Sequence, residues 1–138
     1  MYTPPSMRAA MAYRNVGAES GIADASPHRL VELLFEGLLQ AIHAARGAMA
    51  RGDVSVKGVQ IGRAVRFIEE GLKAGLDDAR GGELAARLRA LYDYCIVRLT
   101  QANLRNDGES LAEVAALIAP VAQGWQEIGR HPAALAAR

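Results

Sequence analysis

The chain has 138 residues, enough for one domain and too few for several, and a chain of this size buries roughly two thirds of the surface that its unfolded form exposes. A formal net charge of +1 excludes the broad basic footprint of a nucleic-acid-binding domain. A single cysteine, Cys95, excludes an internal disulfide framework and a multi-cysteine zinc site.

Apolar residues make up 51% and charged residues 22%, an ordinary soluble composition whose alanine and leucine bias favours helix. No apolar run approaches the length of a membrane span. The opening MYTPPSMRAAMAYRNV lacks the continuous apolar core of a secretory signal. The expectation is a cytoplasmic protein without membrane insertion. It is divided into an N-terminal arm (1–25), a bundle (26–130) and a tail (131–138).

In the arm, Pro4 and Pro5 block an early helix, and Gly17 and Gly21 interrupt the stretch leading to the bundle. Met7, Met11, Tyr13, Val16 and Ile22 are apolar all the same, and Met7 and Met11 share a helical face. A frayed terminus and an arm lying over a hydrophobic groove both fit that pattern. The first helix starts at Ser26-Pro27, a serine N-cap followed by a proline whose φ is already helical. Leu30, Leu33, Leu34, Leu38, Ala41, Ala45 and Met49 form its main stripe, with Val31, Phe35, Leu39 and Ile42 as a second. It ends near Arg51-Gly52.

The second helix is capped by Asp53, with Ser55 competing, and is expected to run to Arg80. Its stripe is Ile61, Val65, Ile68, Leu72 and Leu76. Gly58, Gly62, Gly71 and Gly75 each cost up to about 1 kcal/mol in a helix interior, which points to close approach by a neighbour or a partner. Charged residues from Lys57 to Lys73 exclude a membrane GxxxG reading. Gly81-Gly82 is the expected turn. The third helix then opens at Glu83 and runs to about Leu104, with Leu84, Leu88, Leu91, Cys95, Leu99 and Ala102 on its apolar face. That broad stripe predicts a central position in the bundle, with Tyr92 and Tyr94 at its edges. Asp107 caps a fourth helix whose seam is Leu111, Val114, Ile118, Val121, Trp125 and Ile128. Pro120 predicts a kink between Ala116 and Val121. Short connections make sequential helices antiparallel, so the predicted fold is an all-α, up-down-up-down four-helix bundle.

No catalytic constellation emerges. Glu127 and His131 stand alone rather than as part of a di-iron pattern, and His28 and His43 read as surface or helix-end residues. Cys95 reads as a small core hydrophobe rather than a nucleophile. GxSxG, Walker and GxGxxG motifs are all missing from the sequence. Trp125 reads as core. No cofactor or metal is called for, and an interaction module fits better than an enzyme. A small all-helical enzyme of the chorismate mutase type would need Arg63, Arg66 and Arg98 to converge on a polar cavity. A generic helical module is the third reading.

Several blocks resemble a known family. They are ASPHRLVELLFEGLLQAI (Ala25 to Ile42), GLKAGLD (Gly71 to Asp77), GGELAARLRALYDY (Gly81 to Tyr94) and RLTQANLRND (Arg98 to Asp107). Together with the opening MYT and the segment from Leu111 to Ile128, they resemble the flagellar secretion chaperone family FliS over nearly the whole chain. The resemblance implies a chaperone of bacterial flagellum assembly and type III secretion. It would bind the C-terminal region of unpolymerised flagellin, prevent premature polymerisation and deliver flagellin to the export gate. Some members of that family also bind the flagellar anti-sigma factor. Self-association into a homodimer is left open. On this reading the groove candidates are Ile61, Val65, Ile68, Leu91, Tyr92, Tyr94, Cys95 and Leu99. Each of these is equally explained as bundle core or core edge. Met7, Tyr13 and Val16 are the candidates for an arm that covers the groove when flagellin is absent.

Overall fold

The computed structural model describes residues 25–130. Within them the chain forms four helices: α1 (Pro27–Arg51), α2 (Val54–Arg66), α3 (Asp78–Arg105) and α4 (Gly108–Arg130). A π-helical turn, Phe67–Lys73, prolongs α2. The described residues contain no strand. They build an up-down-up-down four-helix bundle, as the periodicity predicts.

Local chemistry sets most of the boundaries. The Ser26 hydroxyl accepts from the Arg29 N–H at 3.1 Å, and Pro27 follows at the first helical position. Gly52 closes α1 in the left-handed conformation, φ 73°, where a side chain would be strained. Asp53 rather than Ser55 caps α2, its carboxylate accepting from the Val56 N–H at 3.1 Å. Asp107 caps α4, accepting from the Glu109 N–H at 3.0 Å and from the hydroxyl of the buried Ser110 at 2.9 Å.

The junction between α2 and α3 differs from the sequence expectation. Regular α-helix stops at Arg66, the π-helical turn ends at Lys73, and α3 begins at Asp78 rather than Glu83. The Asp77 carboxylate is the cause. It accepts from the Ala79 and Arg80 N–H groups at 3.1 and 3.2 Å and so starts a helix where the second was expected to continue. Gly82, at φ 52° and ψ −125°, breaks this element into a short first turn and a long helix beyond it. The glycine pair is thus a break, but one inside α3.

α3 is also not central. α1 packs on α2 and α4, and α3 packs on α2 and α4, so each helix occupies a corner of the bundle. α1 carries the largest share of the core, burying eight residues against five from α3. Within α3 the buried line runs Ala85, Tyr92, Cys95, Leu99 and Ala102, with the half-buried Leu88 completing an alternating three-four spacing. Tyr92 sits inside that seam at 3% exposure, while Leu84, expected on it, is 65% exposed. α4 continues through Pro120 as one helix. Pro120 and Ala116 both face solvent, so the carbonyl that loses its helical partner can be hydrated.

Two contacts tie the helices together closely. A Cβ on Gly37 of α1 would overlap the Phe67 ring, so that ring lies directly against the α1 backbone. Lys57 is buried, and its ammonium donates to the Asn103 carbonyl at 3.1 Å and to Asn106 Oδ1 at 3.2 Å. It thereby satisfies the Asn103 main-chain carbonyl near the C-terminal end of α3, where the helix leaves its last carbonyls without partners.

Cys95 is fully buried, and burial, followed by the nearby Glu113 carboxylate, pushes its thiol up to about 11. A thiol held protonated and away from solvent is a poor nucleophile. In native protein at pH 8 Cys95 should react with a disulfide reagent such as Ellman's at least ~100-fold more slowly than in urea-unfolded protein. Equal rates would mean that the α3 seam opens readily.

Candidate functional site

Antiparallel packing brings four helix ends to one end of the bundle: the start of α1, the end of α2, the start of α3 and the end of α4. There the helices leave a groove of about 380 Å³. Val31 and Phe35 come from α1, Leu72 from the π-helical turn and Leu76 from the connection that follows it. Leu84, Leu88 and Tyr92 come from α3, and Val121, Trp125 and Ile128 from α4. Gly71, Gly75 and Gly124 complete the lining and leave parts of the wall without side chains. The π-helical turn contributes Gly71 and Leu72, in keeping with the frequent use of such turns at functional sites.

The groove contains no charged lining residue. Leu84 and Ile128 are 65% and 53% exposed at its edge, although both are large and apolar. Its size falls in the range of ligand sites, roughly 300–1,000 Å³, yet it presents almost nothing to orient a polar metabolite. It suits apolar side chains projecting from one face of a helix. Tyr92 stays neutral there, its ionisation resisted first by burial.

A second cleft of about 340 Å³ lies between α1 and α4 and is mixed in character, lined by charged and amide residues such as Glu32, Glu36, Gln126, Glu127 and Arg130 and by Phe35, Leu39 and Ala122. Arg29 pairs with both Glu32 and Glu36, at 3.3 and 3.2 Å. Among the described residues no group of three or more His, Cys, Asp or Glu side chains is placed to hold a metal ion. No described helix is long and apolar enough to cross a membrane.

A family model described as "Flagellar protein FliS" matches residues 9–132. The chain belongs to the FliS family. Among its relatives is the flagellar secretion chaperone FliS of Salmonella typhimurium, 46% identical over 93% of this chain and 93% of that protein. The flagellar secretion chaperone FliSB of Pseudomonas aeruginosa is also 46% identical, over 89% of this chain and 97% of its own length. The Bacillus subtilis FliS is 33% identical over 79% of this chain and 80% of its own. The FliS match thus spans the whole of the described bundle and identifies the chain as a flagellar secretion chaperone.

In this FliS bundle the residues singled out from sequence separate into three groups. Ile61, Ile68, Tyr92, Cys95 and Leu99 are buried in the core, and of these only Tyr92 also lines the groove. Val65 and Leu91 are half-buried against the core, and Tyr94 is exposed. Met7, Tyr13 and Val16 lie outside the described residues, as does His131. The groove residues that sequence reasoning passed over as site candidates are chiefly Leu84, Leu88, Gly124, Trp125 and Ile128. For the four with apolar side chains the common signal is apolar spacing that reaches the helix ends, and periodicity alone does not separate that from core.

The polar neighbours of α3 form inter-helix ties rather than a reactive centre. Asp93 pairs with Lys73 at 2.6 Å, and this bond is the leading cause of the raised Lys73 pKa. The Tyr94 hydroxyl donates to Glu113 at 2.7 Å, and Arg98 Nε donates to the other carboxylate oxygen at 2.6 Å. Arg66 pairs with Glu70, and Arg63 lies over the Phe67 ring at 5.8 Å. Arg63, Arg66 and Arg98 line neither the groove nor the second cleft.

The tie between α3 and α4 carries a pH signature. Hydrogen bonds from Tyr94 and then Arg98 hold the Glu113 carboxyl below its ordinary value. Its folded-state pKa is lowered, so its contribution is fully present above the unfolded value, about 4.3, and fades as pH falls through the folded value. Between about pH 6 and pH 3 the wild-type urea midpoint should therefore fall more steeply than that of Glu113→Gln. Parallel acid limbs would mean that the tie contributes nothing to folding.

Proposed function

We propose that the apolar groove binds the C-terminal segment of flagellin in the cytoplasm, before export. The observation that carries this reading is an uncharged, apolar groove lined from all four helix ends at one end of the bundle. A chaperone that must keep a filament-forming helix from its own kind needs a surface apolar enough to compete for that helix's apolar face. Helix-in-groove docking supplies it. A segment that is disordered when free and folds on the chaperone pays about 2–5 kcal/mol or more for ordering and is held by the area it buries. Covering the segment prevents premature polymerisation and leaves the complex ready for the flagellar type III export gate.

Val65, Leu91 and Tyr94 keep accessible surface outside the groove and remain candidates for contacts with flanking parts of the segment. The export gate and the anti-sigma factor stay in the proposed partner set. The protein acts by binding, with no chemical step.

Calorimetric titration with the isolated C-terminal segment of flagellin tests the reading. One-to-one binding with a negative heat-capacity change is expected, since apolar burial gives that sign. A folded bundle that gives no heat and no co-elution would contradict it.

A further inference from the structure

Trp125 forms part of the groove wall, and its ring lies face to face with the His28 imidazole. The ring centroids are 4.5 Å apart and the planes differ by 8°. The indole Nε1–H also donates to the His28 main-chain carbonyl at 2.9 Å, across a sequence separation of 97. These contacts tie the first turn of α1 to the last turns of α4. α4 also meets the imidazole at Gly129: a Cβ there would overlap His28 Nε2 and Cδ2. The imidazole thus lies against both the Trp125 indole and the α4 backbone at Gly129. His28 itself is not among the groove-lining residues.

We propose, on the reading that this groove holds the flagellin segment, that His28 is a positioning residue. It holds the Trp125 indole as a preformed wall of the groove. The hydrogen bond to the carbonyl anchors one edge of the indole but does not fix its plane. The stacked imidazole fixes the plane. A wall set in place before binding spares the complex the cost of immobilising a large side chain, so its loss appears in affinity. Every substitution at His28 keeps the main-chain carbonyl, so the hydrogen bond survives and the variants isolate the stack.

The test titrates wild type, His28→Ala, His28→Leu and His28→Phe with the flagellin C-terminal segment in a calorimeter. The indole band in near-ultraviolet circular dichroism is recorded for each, and Trp125 is the only tryptophan that contributes. His28→Ala and His28→Leu should each weaken binding about tenfold and flatten the indole band. His28→Phe, which restores a flat ring, should return both readouts to within about threefold of wild type. If wild type fails to bind, the groove reading itself falls. If wild type and all variants bind equally, His28 does not position the indole. If leucine rescues as well as phenylalanine, bulk rather than ring stacking holds the wall and the proposal is overturned. Should His28→Ala not fold, Gly129→Ala reaches the imidazole from α4: it should displace the ring and weaken binding, and unchanged binding would overturn the proposal.

Discussion

Gly124→Leu should abolish binding of the flagellin C-terminal segment while leaving the bundle folded. Gly124 lines the groove on α4, and a Cβ built there meets no heavy atom within 4 Å. A leucine side chain therefore extends into the groove's empty space rather than into packed core, and it occupies volume that the partner's apolar side chains require. Affinity should fall at least ~100-fold, about 2.7 kcal/mol. Stability should hold or rise by up to about 1 kcal/mol, because glycine in a helix interior is costly. Calorimetry and urea unfolding on the same preparation measure the two effects. A folded Gly124→Leu that binds as tightly as wild type would place the segment elsewhere on the bundle.

The second large effect separates the two candidate registers of α3. Tyr92→Ala should destabilise the bundle by about 3 kcal/mol, since it empties a nearly closed core position. For a chain of this size that lowers the thermal midpoint by roughly 10 °C. Leu84→Ala should change stability by less than about 0.5 kcal/mol, because Leu84 is mostly exposed. Its loss should instead appear in binding, at the groove edge. If Leu84→Ala proved the more destabilising of the two, the seam would run through Leu84 and Leu91, and Tyr92 would lie at its edge.

That contrast shows where the sequence is readable. The caps at Ser26, Asp53 and Asp107 are legible because each places an oxygen acceptor beside otherwise unpartnered backbone N–H groups. Gly52 is legible as a helix stop, because it accepts the left-handed conformation without strain. Asp77 has the same chemistry as the other caps. It is hidden by an apolar stripe, Leu72 and Leu76, that continues the preceding period up to it. The hydroxyl of Tyr92 suggests an edge position, yet the ring's apolar area places it in the seam. Leu88, Tyr92, Cys95 and Leu99 then fall on a better heptad than one through Leu84 and Leu91.

The groove is less legible than the bundle, for a geometric reason. Its lining comes from four helix ends far apart in sequence. Along each helix those residues continue the core stripe, so Leu88 and Trp125 read as interior. Only the spatial meeting of the ends shows that their stripes outrun the core available to cover them. The glycines expected within the second helix give a partial warning. Gly71 and Gly75 do face this space, whereas Gly62 has no neighbour within 4 Å of a built Cβ.

Trp125 offers the most direct test of the central claim, that the groove at the open end of the bundle receives the flagellin segment. It is the only tryptophan in the chain and lines the groove. Titrating the protein with a tryptophan-free C-terminal flagellin segment should blue-shift its emission and protect it from acrylamide quenching, with both changes saturating at one equivalent. Saturable binding by calorimetry with no change in Trp125 emission or quenching would contradict that claim and move the flagellin site to another face of the bundle.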